Sequence, residues 1–194
     1  MKASMELQRF ELRLSGLGGQ GILTLGKVLG AGLAIEEGYE VSQTQSYGPE
    51  ARGGASRSDL VISSHSISYP KPEQLDLLVA MSQEACNLYY RHLKPGGLLL
   101  VDDSLVKQTP TNIYWGLPFT SLAVQKLGMP QAANMVLLGA LAHFLPFIQP
   151  RSMKKSLERN LSPRFLEGNL KAFQLGLTHA RKKYPDAQEQ WTFS

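Results

Sequence analysis

The stretch Gly16-Leu17-Gly18-Gly19-Gln20-Gly21 constrains this chain most, because four glycines in six positions join a strand pattern to a helix pattern. Before it, Phe10, Leu12 and Leu14 alternate with Glu11 and Arg13, the period-2 signature of a strand ending near Ser15. After it, Ile22, Leu25, Val28, Leu29, Leu33 and Ile35 keep the helical period as far as Glu37, and Gly38 is placed to close the helix. The spacing matches G-x-G-x-x-G, in which glycines permit a tight strand-to-helix turn and let a phosphate approach backbone N–H groups at the positive end of a helix. The same glycines also suit a second reading, in which they let the first helix pack closely on a sheet with no ligand.

Further strand and helix patterns follow. Tyr39 to Thr44 reads as a second strand, parallel to the first through a right-handed crossover. An NAD site calls for an acidic residue about 20 positions beyond the glycines to hold the ribose hydroxyls. Ser42, Gln43, Thr44, Gln45 and Ser46 fill that place, so the NAD fingerprint is incomplete. Gly48-Pro49 and Gly53-Gly54 then punctuate a loop that presents Tyr47, Glu50 and Arg52. Glu50 and Arg52 could pair across that loop. They also stand beyond a strand end, where open α/β sheets bind ligands.

Asp59 to Ser63 reads as a third strand, Ile67 to Tyr69 as a short return, and Asp76 to Ala80 as a buried strand. Ser82 caps a helix to about Leu93, Lys94-Pro95-Gly96-Gly97 turns the chain, and Leu98 to Val101 is a strand, repeating the first unit. Asp102 and Asp103 could act as acid and base or hold a metal, but no His, Asp or Glu follows closely, which favours turn and capping roles. Asn112 to Trp115 reads as one more strand. From Thr120 the pattern is helical: to Leu127, then Met135 to Phe147, apolar nearly all round and capped by Asn134, then Ser152 to Arg159 and Ser162 to Lys183. His143 on the apolar helix reads as a satisfied core or interface histidine.

These elements predict the α/β class, as a three-layer α/β/α sandwich with a mostly parallel, Rossmann-like sheet and a helical C-terminal region. Residues 1–8 read as a flexible N-terminus, 9–183 as one domain and 184–194 as a tail.

Cys86 is the only cysteine among 194 residues, which excludes an internal disulfide, a CxxC pair and an iron–sulfur cluster ligated by this chain alone. Electron transfer would have to be carried by another subunit. Residues 151–194 hold nine Lys and Arg against four Asp and Glu, so the net charge of +4 belongs to the C-terminal segment. Those basic residues lie at helical spacings without aromatic interleaving, which favours a solvated face over nucleic acid. No apolar run reaches the roughly 18 residues of a spanning helix, and Met1 to Arg9 is unlike a signal peptide, so the cytoplasm is expected.

Several stretches together carry a resemblance. Gly18-Gly19-Gln20-Gly21, the loop Ser46-Tyr47-Gly48-Pro49-Glu50-Ala51-Arg52-Gly53-Gly54, the stretch Leu93-Lys94-Pro95-Gly96-Gly97, and Leu127-Gly128-Met129-Pro130-Gln131-Ala132-Ala133-Asn134-Met135 occur in the order found in gamma subunits of 2-oxoacid:ferredoxin oxidoreductases. The chain resembles that family over about residues 9 to 180. Asp59 to Ser63, Tyr69-Pro70 and Ala80 to Ala85 look closest to the 2-oxoglutarate branch, beside the pyruvate and 2-oxoisovalerate branches.

The resemblance implies oxidative decarboxylation of a 2-oxoacid with coenzyme A, giving an acyl-CoA, carbon dioxide and reduced ferredoxin. Thiamine diphosphate and [4Fe-4S] clusters would then lie on alpha, beta and ferredoxin-like delta partners, with ferredoxin reached through the complex and a homodimer as a form of the isolated chain. This chain would contribute no catalytic residue. It would contribute to assembly and to a shared coenzyme A site, with Gly16, Gly18, Gly19, Gln20, Gly21, Tyr47, Glu50, Arg52, Gly53 and Gly54 on that face. A stand-alone NAD- or ATP-binding module and a purely structural subunit are the alternatives.

Overall fold

The computed structural model describes residues 5–46 and 55–190. Among the described residues, six strands form one sheet in the order β2-β3-β1-β4-β5-β6. They are β1 Phe10–Leu17, β2 Glu40–Ser46, β3 Ala55–Ser63, β4 Leu75–Ala80, β5 Leu93–Asp102 and β6 Trp115–Leu117. Helix α1 spans Ile22–Ala31 and continues as a wider π-type segment, Gly32–Glu37, before Gly38 reverses the chain at φ 82°. The remaining helices are α2 Gln83–Tyr89, α3 Phe119–Leu127, α4 Ala133–Phe144, α5 Pro150–Asn160, α6 Pro163–Lys183 and α7 Ala187–Gln190.

The three-layer α/β sandwich expected from the sequence is present, with one change of topology. β2 runs in the direction of β1 but is not its neighbour. β3 lies between them, antiparallel to both, with Arg13 opposite Asp59 and Thr44 opposite Asp59 on its two sides. β1, β4, β5 and β6 pair in parallel. Five of the six strands therefore share a direction, and the sheet is mostly parallel.

Alternation divides the sheet into two unequal faces. Phe10, Leu12, Leu14, Leu60, Ile62, Leu77 and Val79 meet α1 and α3 to α6 in one large apolar core. The opposite face is covered by α2, through Ala85, Cys86 and Tyr89, in a smaller cluster. Beside α2 the cover is the connection between β3 and β4, pinned by charge rather than by apolar packing. Arg9 donates to the carbonyls of Tyr69 and Lys71, and Glu11 accepts from the N–H groups of Glu73 and Gln74. Glu11 and Arg13 are consequently buried although polar.

α4 is buried inside the chain. Its contact with α6 is close enough that a Cβ on Gly139 would fall on the Phe173 carbonyl and a Cβ on Gly176 on the Val136 carbonyl. Ile67 to Tyr69, the short return, is part of the pinned connection. Two expectations are corrected here. The last strand is Trp115–Leu117 rather than Asn112 to Trp115, leaving Ile113 80% exposed outside it. Tyr184 to Gln190, expected as a loose tail, pack back: the Tyr184 ring stacks 5.2 Å from Trp115, its hydroxyl bonds the Gly116 backbone, and Ala187 is buried.

Candidate functional site

The glycine turn leaves β1 at the end of the sheet where the parallel strands finish. Gln20 organises it: its side-chain oxygen accepts from Leu17 N–H at 2.7 Å and its side-chain N–H donates to the Met81 carbonyl at 2.9 Å, tying the turn to the end of β4. Gly19 and Gly21 take φ 89° and 71°, a region that L side chains rarely adopt. Gly16 is required by packing, since a Cβ there would collide with the Gln20 side chain. By contrast, nothing among the described residues lies within 4 Å of the Cβ positions of Gly18 and Gly19. Close packing thus accounts for Gly16, while Gly18 has neither a steric nor a φ requirement.

Among the described residues, helix α1 starts without a side-chain cap, and its first turn has no acidic residue. Its positive end is left uncompensated by its own segment, an arrangement suited to an anionic group. The Gly21 carbonyl accepts both the first helical bond, from Leu25 N–H at 2.9 Å, and a bond from the Asn134 side chain at 3.1 Å. Asn134, expected to cap α4, is instead its second residue and acts across the core. α4 is entered through a short turn beginning at Pro130 and has no side-chain cap.

Of the expected site residues, Gly16, Gly18, Gly19, Gln20 and Gly21 lie together in this turn. Tyr47, Glu50, Arg52, Gly53 and Gly54 lie outside the described residues. The ends of their loop are described. Ala55 pairs with Leu17 and Ser56 with Gly16, and the Ser56 hydroxyl donates to the Gly16 carbonyl at 3.3 Å. The antiparallel β3 therefore brings the far end of the loop directly against the start of the glycine turn. It also fills the place beside β1 that a dinucleotide fold gives to its second strand. The polar run after α1 is partly structural: Gln43 donates to Ser58 beneath α1, and Ser42 donates to the Pro70 carbonyl.

A second constellation, on the sheet face away from α1, was not read from the sequence. Arg13 donates to both oxygens of Asp59, at 2.6 and 2.8 Å, with both side chains buried. Its third arm reaches His92 Nδ1 at 2.6 Å. Burial first, and then the charges of Arg13, Arg91 and Arg57, hold the His92 imidazole below its usual range, so Nδ1 accepts from Arg13. Arg13 and Arg57 stand 4.9 and 5.6 Å from the centroid of the Tyr89 ring, and Arg57 Nε is 3.7 Å from Asp59. The antiparallel register sets Arg13 against Asp59, and a parallel β1–β2 pairing gave no reason to connect them.

The remaining candidates are structural. Asp102 accepts from Ser104 N–H and from Thr120 N–H in the first turn of α3, which is the capping role expected for it, and Asp103 pairs with Lys183 at 3.2 Å. His143 Nε2 meets the Tyr184 carbonyl at 2.7 Å. Cys86 is buried, which pushes its thiol pKa up and leaves it a packing residue. Of the C-terminal basic residues, Lys155 and Arg159 pair with Glu36 and Lys171 with Glu167, as on solvated helix faces. A recess of about 610 Å3 opens at the opposite end of the strands from the glycine turn, against Leu93, Lys94, Ile113 and Trp115. No helix among the described residues is long and apolar enough to cross a membrane.

Comparison with known proteins matches residues 11–179 to a family described as pyruvate ferredoxin/flavodoxin oxidoreductase. The chain is 42% identical over 178 residues to the 2-oxoglutarate synthase subunit KorC of Methanocaldococcus jannaschii, covering 90% of this chain and 95% of that subunit. Among solved structures, it is similar to the keto/oxoacid ferredoxin oxidoreductase gamma subunit of Geobacter sulfurreducens, with TM-score 0.81 and 37% identity over 90% of this chain and 97% of that one. It is also similar to a 2-oxoglutarate:ferredoxin oxidoreductase from Magnetococcus marinus with 2-oxoglutarate, coenzyme A and succinyl-CoA bound. There the TM-score is 0.80 and the identity 25%, over 91% of this chain and 32% of that one.

Proposed function

Because the chain belongs to the pyruvate ferredoxin/flavodoxin oxidoreductase family, we propose that it is the gamma subunit of a cytoplasmic complex that oxidises 2-oxoglutarate. The reaction joins the acyl group to coenzyme A, releases carbon dioxide and passes two electrons to ferredoxin. The observation that carries this reading is the 42% identity to a 2-oxoglutarate synthase subunit across nearly the whole length of both chains.

Alpha, beta and delta partners would hold the thiamine diphosphate and the clusters, which accords with a chain whose only cysteine is buried. This chain's part is binding and assembly. The open backbone at Gly18 and Gly19 and the uncapped start of α1 suit a phosphate of coenzyme A, which supplies the thiol that takes the acyl group. Arg52 and its neighbours Tyr47, Glu50, Gly53 and Gly54 follow from the same reading, since their loop ends against the glycine turn.

The test is reconstitution with the alpha, beta and delta subunits, followed by ferredoxin reduction with 2-oxoglutarate, pyruvate and 2-oxoisovalerate in turn. A complex active on pyruvate alone contradicts the substrate. Arg52→Ala is expected to raise the KM for coenzyme A or to weaken assembly. If KM, turnover and assembly were all unchanged, the coenzyme A face would be wrongly placed.

A further inference from the structure

We propose that Arg57 and Lys71 form a binding site for a phosphate monoester or free phosphate dianion, in the recess between β2, β3 and the connection that follows β3. The recess measures about 280 Å3 and is lined by Arg13, Thr44, Arg57, Asp59 and Lys71 among others. It lies on the sheet face away from α1, because Arg57 and Asp59 alternate with Ser58 and Leu60, which face the helix. The site is independent of the coenzyme A reading.

Charge accounting carries the assignment. Three cations and one carboxylate line the recess. The carboxylate of Asp59 is taken by the fork of Arg13 in two short bonds, and the third arm of Arg13 is on His92. That pair is neutral as a unit, and each of the three guanidinium nitrogens of Arg13 already makes a bond. Arg57 reaches Asp59 only at 3.7 Å, beyond hydrogen-bond distance. Among the described residues, the Arg57 Nη groups, the Lys71 Nζ and the Thr44 hydroxyl make no hydrogen bond. Its four charged side chains leave the recess with a net charge of +2, and with the Thr44 hydroxyl beside them it is the complement of a tetrahedral dianion.

The Arg57 guanidinium is held in place, and Lys71 is anchored through its backbone. The Tyr89 ring carries the Arg57 guanidinium 5.6 Å from its centroid, and the Tyr89 hydroxyl is itself fixed by the Ala55 carbonyl at 3.2 Å. The backbone of Lys71 is held by Arg9, which donates to its carbonyl at 2.9 Å. Ordinary surface cations lose side-chain entropy when they bind an anion, and a cation already positioned loses less. Thr44 enters from β2, opposite Asp59 across the β2–β3 pair.

The full chain, labelled with 15N, is titrated with inorganic phosphate and separately with phenyl phosphate. Saturable shifts of the Arg57 Nε–H and of the Thr44 amide are expected with both probes. Binding of phenyl phosphate as tight as that of phosphate assigns the site to the phosphate arm of a larger molecule, and tenfold weaker binding assigns it to the free ion. The Arg57→Gln/Lys71→Gln double variant should bind at least tenfold more weakly, and Lys126→Gln, on the exposed end of α3, should bind as the parent does. Unsaturating shifts in the parent, which need no variant to fold, or equal affinity in the double variant, overturn the site.

Discussion

The side-chain amide of Asn134 donates to the carbonyl of Gly21 from 113 positions further along the chain, and it occupies the space where a Cβ on Gly21 would stand. Asn134 is 5% exposed, and its Oδ1 is buried with no hydrogen-bond partner among the described residues. The entry to α1 is thus shaped by α4, and the glycine turn inherits its geometry from the C-terminal helices as well as from its own glycines.

Gly21→Ala should therefore cost roughly 2–5 kcal/mol, the left-handed backbone cost added to the overpacking cost. In an Asn134→Ala background the collision is gone, and only about 1–2 kcal/mol of backbone cost should remain. Urea unfolding of the two single variants and the double variant checks this. Additive costs would show that the two residues do not meet.

Gly139→Ala and Gly176→Ala each drive a methyl group into the backbone of the facing helix, which cannot yield as a side chain can. Each is expected to cost about 3 kcal/mol or more. Chemical denaturation reads the loss. A cost below about 1 kcal/mol, the ordinary range of a tolerated core change, would mean that α4 and α6 are further apart than described.

Arg13→Met leaves Asp59 buried with only the distant Arg57 beside it, and should destabilise the fold by about 3–5 kcal/mol. Arg13→Met combined with Asp59→Leu removes both charges and should recover most of that loss. The double variant is the informative one, because a simple packing defect would not be rescued by a second substitution.

His92 makes stability depend on pH. Its imidazole is held below its usual value in the folded protein, so below about pH 6.5 the unfolded chain takes up a proton that the folded chain refuses. The contribution is present above that pH and is lost on acidification. The urea midpoint should fall between about pH 7.5 and 5.5, and fall less in His92→Gln, whose side-chain oxygen can still accept from Arg13. An identical fall in both proteins would remove His92 from the account.

What the sequence revealed depended on whether the signal was local. The glycine turn, the strand before it, the reversal at Gly38 and the Ser82 cap, which accepts from Ala85 N–H at 3.2 Å, are all decided within a few residues and were legible. The apolar circumference of α4 correctly implied burial, and the structure supplies the cover as α6. Strand direction was not legible. Leu60, Val61 and Ile62 are all buried, and a strand covered on both faces has no alternation from which its neighbours can be inferred. Without that direction Arg13 and Asp59 had no reason to meet. Asn134 misled for a different cause: asparagine before an apolar run is a common cap, but here the short turn at Pro130 starts the helix and frees the side chain for Gly21.

The reversed strand β3 also sets an order of events during synthesis. β1 leaves the ribosome first, yet Phe10 pairs with Ile62 and Leu12 with Leu77, so both of its neighbours are made 50 to 65 residues later. β2 and β3, by contrast, are consecutive strands and antiparallel neighbours, so the whole of that hairpin pair has been made by residue 63. β1, which lies between that hairpin and β4, therefore cannot be paired along both edges until residue 80 has been made. Until then Phe10, Leu12 and Leu14 are presented on an unpaired strand, and it is this segment of the nascent chain that a chaperone would meet.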